Sequence, residues 1–300
     1  MARSLPVALL KSLRPEQWTK NVLVFAPLIF AEKLFDRRAV GIACAAFGIF
    51  CVLSSVVYLV NDIADRQHDR QHPLKRLRPI AAGELPVATA IGAAIVLGAA
   101  AGGAAFLLGP RFGAVALGYL ALMVLYSGPL KHLLIIDVLT ISIGFVLRAL
   151  GGAVAIDVEI THWLFVCTIL GALFISFGKR RHELVLLAGG ATSHRRILGE
   201  YTEYLLDQMM VIVACATLIS YIFYTISPET VSKFGTAALE LTIPFPLYGI
   251  FRYLYLVHRR EGGGSPADLL IKDRPLLLCV LLWVASTVLI IYGSRNLPWA

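Results

Sequence analysis

Three aspartates, Asp62, Asp65 and Asp69, lie at the polar end of a long apolar run and share one face of a helix advancing ~100° per residue. Asn61 precedes them, and Arg70, Lys75, Arg76 and Arg78 follow within the next turns. Unpaired carboxylates so close repel each other, and at a membrane surface the repulsion grows. A divalent cation removes the conflict, and the lysines and arginines behind it can hold the phosphates that such a cation carries. The bland alternative is a solvated helix end with ordinary flanking charge. The tight clustering of Asn with three Asp at the mouth of an apolar helix argues against it.

The elements that must position these groups are membrane helices. The chain is 58% hydrophobic and 15% charged, against roughly 25% charged for an average soluble domain. Nine apolar segments approach the ~20 residues needed to cross a bilayer: 18–35, 38–60, 87–108, 112–127, 133–155, 161–178, 208–227, 237–257 and 275–293. The first and fourth are short or interrupted. The expected fold is therefore all-α and integral to the membrane, one domain over residues 1–300. Residues 1–17 read as an interfacial helix, and 62–86 and 179–207 as loops on the site's side.

The net charge of +8 could suggest nucleic acid, but its distribution speaks for a membrane. Lysines and arginines concentrate in the segments that lie on one side if the N-terminus is inside, which the positive-inside rule makes cytoplasmic. The aspartate-rich stretch falls on that side. The five cysteines lie in apolar segments without metal-ligand spacing and read as small core residues. No Walker loop, zinc spacing or nucleophile–base motif is present in the sequence.

Elsewhere the signals are weaker. Lys20 is polar where the first span enters the membrane; snorkelling to headgroups and a cavity role are both open. Tyr126 and Lys131 flank a short inner turn. Asp137 and Arg148 are intramembrane ionisable residues, costly and by default functional. They stand 11 residues apart, ~16 Å along one helix, so each needs a partner on another helix or a wet cavity. The sixth span ends in Gly178-Lys179-Arg180-Arg181-His182-Glu183, and the loop over 184–207 is either a cap on the site or a polar connection. The alanine- and glycine-rich third and fourth spans suit close helix packing.

The motif Asn61-Asp62-x-x-Asp65-x-x-x-Asp69 resembles the first aspartate-rich motif of the UbiA superfamily of membrane prenyltransferases. A UbiA-type bundle of nine helices with a cytoplasmic N-terminus agrees with the segment pattern. Members that alkylate aromatic rings carry a second aspartate-rich motif after the sixth span; here that position holds Gly178-Lys179-Arg180-Arg181. This departure is similar to the branch that makes decaprenylphosphoryl-5-phosphoribose from phosphoribosyl diphosphate and a polyprenyl phosphate. The stretches Arg14-Pro15-x-Gln17-Trp18-x-Lys20-Asn21 and His72-Pro73-x-Lys75-Arg76-x-Arg78-Pro79 resemble that branch as well.

The resemblance implies Mg²⁺ as cofactor, held by Asn61, Asp62, Asp65 and Asp69, with the aspartates as the catalytic set. It implies phosphate binding by Lys20, Arg70, Lys75, Arg76, Arg78, Tyr126, Lys131, Arg148, Lys179 and Arg180. A bacterial plasma-membrane location, a role in cell-wall precursor synthesis and compatibility with a homo-oligomer follow from it too. Two other readings stand beside it: a UbiA prenyltransferase acting on an aromatic or quinone precursor, and a transporter with charged groups lining its path.

Overall fold

A computed structural model describes residues 4–186, 196–259, 269 and 272–293. The described residues are helical and form two compact units. One is built on the chain up to Leu28 with Lys33–Glu159, the other on Ile29–Glu32 and chiefly the chain from Ile160 onward. The stretches 187–195 and 260–268, which include part of the expected cap over 184–207, lie outside the described residues.

Among the described residues seven helices are long and apolar enough to cross a membrane, or eight if the bent pair Pro228–Phe234 and Ala238–Arg259 counts as one span. The first apolar segment, 18–35, differs from its expected form. It is a 3₁₀ run, Pro15–Phe25, followed by a five-residue helix, Ala26–Phe30. The reason is positional. In a 3₁₀ helix residues three apart eclipse, so Trp18, Asn21 and Val24 line up along one edge. That edge meets the first unit's core: Trp18 and Asn21 hydrogen-bond to it and Val24 is buried in it. An 11-residue run also extends to ~22 Å at the 3₁₀ rise, against ~16 Å as an α-helix.

The first unit is organised on α3 (Arg37–Ala64), preceded by α1 (Leu5–Leu13), the 3₁₀ run and the first three residues of α2 (Ala26–Phe30), whose Ile29 and Phe30 belong to the second unit. After it come α4 (Arg66–Gln71), α5 (Pro79–Ala82), α6 (Val87–Leu108), α7 (Pro110–Ser127) and α8 (Ile136–Ala155). Asp36 starts α3 as its N-cap, accepting from the amides of Arg38 and Ala39. The 28 residues of α3 span ~42 Å, more than the ~30 Å hydrocarbon core, so one end reaches the polar boundary. Its buried face holds Phe50, Leu53 and Val57, packed with Phe112, Tyr119 and Met123 of α7. On α6 the buried positions are Ala90, Ala94, Ala101 and Ala105, a stripe at helical spacing, while Ile95, Val96 and Leu107 are exposed. Small residues inward and large apolar residues outward is the pattern of a helix whose far side meets lipid.

Two glycines permit close approaches that no other residue would. A Cβ on Gly152 of α8 would lie 2.1 Å from the carbonyl oxygen of Val24, and one on Gly151 would lie 2.5 Å from the Phe50 ring. Backbone cannot yield as a side chain can, so Gly152 is what lets the 3₁₀ run lie on α8.

The second unit contains α9 (His162–Leu186) and the helices Glu203–Ile226, Pro228–Phe234, Pro244–Arg259 and Arg274–Gly293. It is tied by polar links: Tyr221 hydroxyl with Thr242 at 2.6 Å, Trp283 Nε1 to Tyr221 at 2.7 Å, and a two-pronged Arg252–Asp273 pair at 3.1 and 2.8 Å. Gly178 belongs to this unit, and a Cβ there would meet the Tyr253 hydroxyl at 2.6 Å.

Gly152→Ala is expected to destabilise the protein by about 3 kcal/mol, at the upper end of overpacking costs. Thermal unfolding of the detergent-solubilised chain checks it. Gly118→Ala, where an added Cβ meets nothing within 4 Å, serves as the control and should melt with the wild type.

Candidate active site at the polar end of α3

The aspartates occupy three successive settings. Asp62 lies in the last turn of α3, Asp65 caps its C-terminus and Asp69 sits in α4 after the break. Asp62 and Asp69 are 2% and 3% exposed; Asp65 is half-buried. Burial pushes the Asp69 carboxyl above its usual range, while the Arg78 guanidinium pulls it back toward ionisation. Carboxylates this enclosed stay ionised only where cations compensate them.

The chain supplies those cations. Arg78 Nη1 donates to Asp62 Oδ1 at 3.0 Å and to Asp69 Oδ2 at 2.6 Å, so one nitrogen bridges two carboxylates. Arg14 Nη2 donates to the same Asp62 oxygen, and Lys131 Nζ to Asp65. Lys75 adds its field to Asp69. Loop order around these groups is local. His72 Nδ1 accepts the backbone N–H groups of Leu74 and Lys75 at 3.1 and 3.2 Å, and Arg70 Nε donates to the Ala81 carbonyl at 3.1 Å. Arg70, predicted to bind phosphate, thus also braces α5, and Arg76 is exposed on the loop.

Arg14 was not among the predicted site residues. Its signal was present as the first residue of the Arg14-Pro15-x-Gln17-Trp18 stretch. Its backbone is left-handed at φ 51°, ψ 61°, where α1 ends and the 3₁₀ run begins. Glycine would adopt that conformation at lower cost. Arginine serves here because its side chain crosses the Tyr58 ring, 4.9 Å from the ring centre, and reaches Asp62.

From Asp62 a polar stripe runs back into the membrane along α3 through Tyr58, the adjacent pair Ser55 and Ser54, and Cys51, each step along it three or four residues. Trp18 Nε1 donates to Ser55 at 3.0 Å, and Asn21 Nδ2 to Ser54 at 3.2 Å. Lys20 Nζ stands 6.0 Å from the Tyr58 ring centre. At the deep end Arg148 finds two off-helix partners, Asn21 and Tyr119, besides a carbonyl of its own helix. Its Nε donates to Asn21 Oδ1 at 2.7 Å, Nη1 to Gly144 O at 2.9 Å and Nη2 to the Tyr119 hydroxyl at 2.8 Å. The guanidinium also lies 4.7 Å from the Tyr119 ring centre and is 6% exposed. Arg148 is therefore held apart from the aspartates. Asp137 is fully buried at the start of α8, and Tyr126 is half-buried in the last turn of α7.

In the second unit Arg180 is 2% exposed and donates to Glu183 at 2.7 Å, while Arg181 donates to Asp207 at 2.6 Å. Lys179 is half-buried beside them.

Whether a magnesium ion suits these residues is decided by the oxygens. Asp62 Oδ2 is buried and has no hydrogen-bond partner. Asp62 and Asp69 bring one carboxylate oxygen each within 3.0 Å of a single cationic atom. Among the described residues no three His, Cys, Asp or Glu side chains converge as a ready-made cage. Magnesium does not ask for one, since it is held by one or two carboxylates with waters and substrate phosphates. The residues fit it.

The UbiA prenyltransferase family model matches residues 22–270. The chain belongs to the UbiA prenyltransferase family. Relatives from several bacteria are named decaprenyl-phosphate phosphoribosyltransferase. The one from Corynebacterium glutamicum is 36% identical over 295 residues, covering 97% of this chain and 88% of that protein. The one from Mycobacterium tuberculosis is 34% identical, covering 94% of each. Among solved structures, a UbiA homolog from Archaeoglobus fulgidus bound to GPP and Mg²⁺ superposes with a TM-score of 0.72, covering 95% of this chain and 99% of that one. At 18% identity that likeness establishes the UbiA fold. The chain is thus a multi-pass UbiA membrane protein.

Asn21→Ala leaves Arg148 Nε without its acceptor inside the protein. A loss of about 2 kcal/mol in stability is expected, the scale of a hydrogen bond to a charged group, read as a lowered melting temperature. Arg148→Lys should lose more, because one ammonium cannot serve three acceptors set around a planar fork.

Proposed function

We propose that the chain transfers the 5-phosphoribosyl group of phosphoribosyl diphosphate to a polyprenyl phosphate, releasing diphosphate, at the cytoplasmic face of a bacterial plasma membrane. The observation that carries the reading is a single carboxylate cluster ringed by basic side chains, with Gly178-Lys179-Arg180-Arg181 at the second motif's position. Relatives with the matching name along nearly the whole chain support it.

Charge decides between donors. Phosphoribosyl transfer to a lipid phosphate gathers three phosphate-type groups, five or more negative charges. A second carboxylate cluster would add to that repulsion, whereas lysines and arginines offset it. The acceptor needs no strong base, because a phosphate monoester is largely ionised near neutral pH (pKa₂ ~6). A lipid phosphate oxygen forms a bond to C1 of the ribose as the C1–O bond to diphosphate breaks. Both electrons of the broken bond leave with the diphosphate, and no proton has to be removed.

Within this reading Asp62, Asp65 and Asp69, with Asn61, would hold Mg²⁺, which when bound would supply positive charge against the leaving diphosphate. Arg14, Lys75, Arg76 and Arg78 bind the donor's phosphates. Lys131 and Lys20 line the approach of the lipid phosphate, with Tyr126 and Arg70 at its margin. The buried Arg148 contributes positive potential from the deep end of the polar stripe. For Lys179 and Arg180, assignment to phosphate oxygens rests on their place in the sequence. The N-inside, nine-segment topology and the role in cell-wall precursor synthesis belong to the same proposal.

Purified protein with Mg²⁺ should release diphosphate from phosphoribosyl diphosphate only when polyprenyl phosphate is present. Asp65→Asn is expected to lower kcat at least 100-fold, on the scale of losing one charge-stabilising group, and to shift the Mg²⁺ dependence. Wild-type turnover with unchanged Mg²⁺ dependence would overturn the assignment. Labelled prenyl diphosphate with hydroxybenzoate should give no product.

A further inference from the structure

Arg78 occupies the space between Asp62 Oδ1 and Asp69 Oδ2 that a metal bridging those two oxygens would need. Arg78 Nη1 is 3.0 Å from Asp62 Oδ1 and 2.6 Å from Asp69 Oδ2, hydrogen-bonding distances on both sides. Arg14 adds a second guanidinium to the same Asp62 oxygen. Magnesium bound by those oxygens would sit 2.0–2.1 Å from each, and no guanidinium nitrogen can share that space. Two cations so close would also repel strongly in a partly buried setting. A metal that uses Asp62 Oδ1 and Asp69 Oδ2 together therefore enters only as the arginines move off them; Asp62 Oδ2, which has no hydrogen-bond partner, stays open to it throughout.

The arginines cannot simply withdraw. A guanidinium separated from its carboxylate in a partly buried place needs another anion. The incoming donor brings one: the oxygens of its diphosphate arrive with the metal they ligate. Arg78 is well placed for the exchange. It is the extended residue ahead of α5, at φ −68°, ψ 138°, and its side chain is 23% exposed. Its backbone is held independently by the Arg78 N–H to Lys75 carbonyl bond at 3.0 Å. The side chain can therefore swing without unfolding the loop.

We propose that Arg78, with Arg14 beside it, is a resident counter-ion of the metal position. It bridges Asp62 and Asp69 when no metal is bound, opposes entry of a divalent cation alone, and yields the carboxylates when a diphosphate offers it oxygens in exchange. This rests on the function proposed above and deepens it. Metal and donor then enter as a linked pair, and metal without donor binds weakly. The same residue acts against one ligand and for the other. A purely structural Arg78 would do neither, since its loss would loosen the site for both.

The test is Mn²⁺ binding to the full-length, detergent-solubilised protein without substrate, read from the free-ion EPR signal. Arg78→Gln is expected to bind Mn²⁺ about tenfold more tightly than wild type, ~1.4 kcal/mol. In the same variant KM for phosphoribosyl diphosphate should rise. Arg78→Lys, which keeps the charge, should stay within about twofold of wild type for Mn²⁺. Wild-type or weaker Mn²⁺ binding by Arg78→Gln overturns the proposal. Should that variant fail to fold, Arg14→Gln carries the same test at Asp62, with tightening expected and unchanged or weaker binding overturning it. Asp62→Asn separates this from the underlying reading. It should weaken Mn²⁺ binding at least tenfold, and unchanged binding would overturn the metal site itself rather than the counter-ion.

Discussion

The first unit depends on one electrostatic constraint: three carboxylates placed where a membrane helix meets the polar boundary must be neutralised. Asp62 and Asp69 are almost wholly buried, and buried charge without a partner is among the costliest states a protein can hold. The chain meets the requirement from three separate elements. Arg14 comes from the end of α1, Arg78 from the loop before α5 and Lys131 from the turn after α7. These pairs draw the N-terminal segment, the basic loop and the turn after α7 onto the end of α3. The charges that make the site are thus also those that assemble it.

A second polar node lies deeper. Arg148, Asn21 and Tyr119 come from α8, the 3₁₀ run and α7, and each completes another's hydrogen bonding. A half-satisfied node at this depth would cost more than an apolar one. Satisfying it demands the tight approach of the 3₁₀ run, which Gly152 allows. Between the two nodes, Ser54, Ser55 and Tyr58 keep one face of α3 polar through its last three turns. That face is the physical link between the aspartates and the membrane interior.

Much of this was legible in the residues. The aspartates announced themselves by type and spacing, because a helix converts a three- or four-residue interval into a shared face. The apolar runs announced membrane helices, and seven of the nine are single long helices. Asn61-Asp62-x-x-Asp65-x-x-x-Asp69 resembled the UbiA motif, and the chain belongs to that family. Segment 18–35, expected as a short or interrupted span, is a 3₁₀ run followed by a five-residue helix, because hydropathy averages over Asn21 on the edge that packs into the first unit's core. The 102° bend between Pro228–Phe234 and Ala238–Arg259 falls at residues 235–237, where Gly235 is left-handed at φ 69°, a break that hydropathy does not register.

Residue order alone supplies the chemistry available: carboxylates at the end of α3, cations close behind, and no acidic counterpart at Gly178-Lys179-Arg180-Arg181. Tertiary structure alone decided who meets whom. It brought Arg14 to Asp62 across 48 residues and Arg148 to Asn21 across 127. It assigned Lys131 to Asp65, and it put Arg78 on two carboxylates at once rather than leaving it free on the loop. The reason is that spacing along a chain encodes the face of a local helix, whereas the partner of a buried charge depends on which distant elements pack close enough to exclude water.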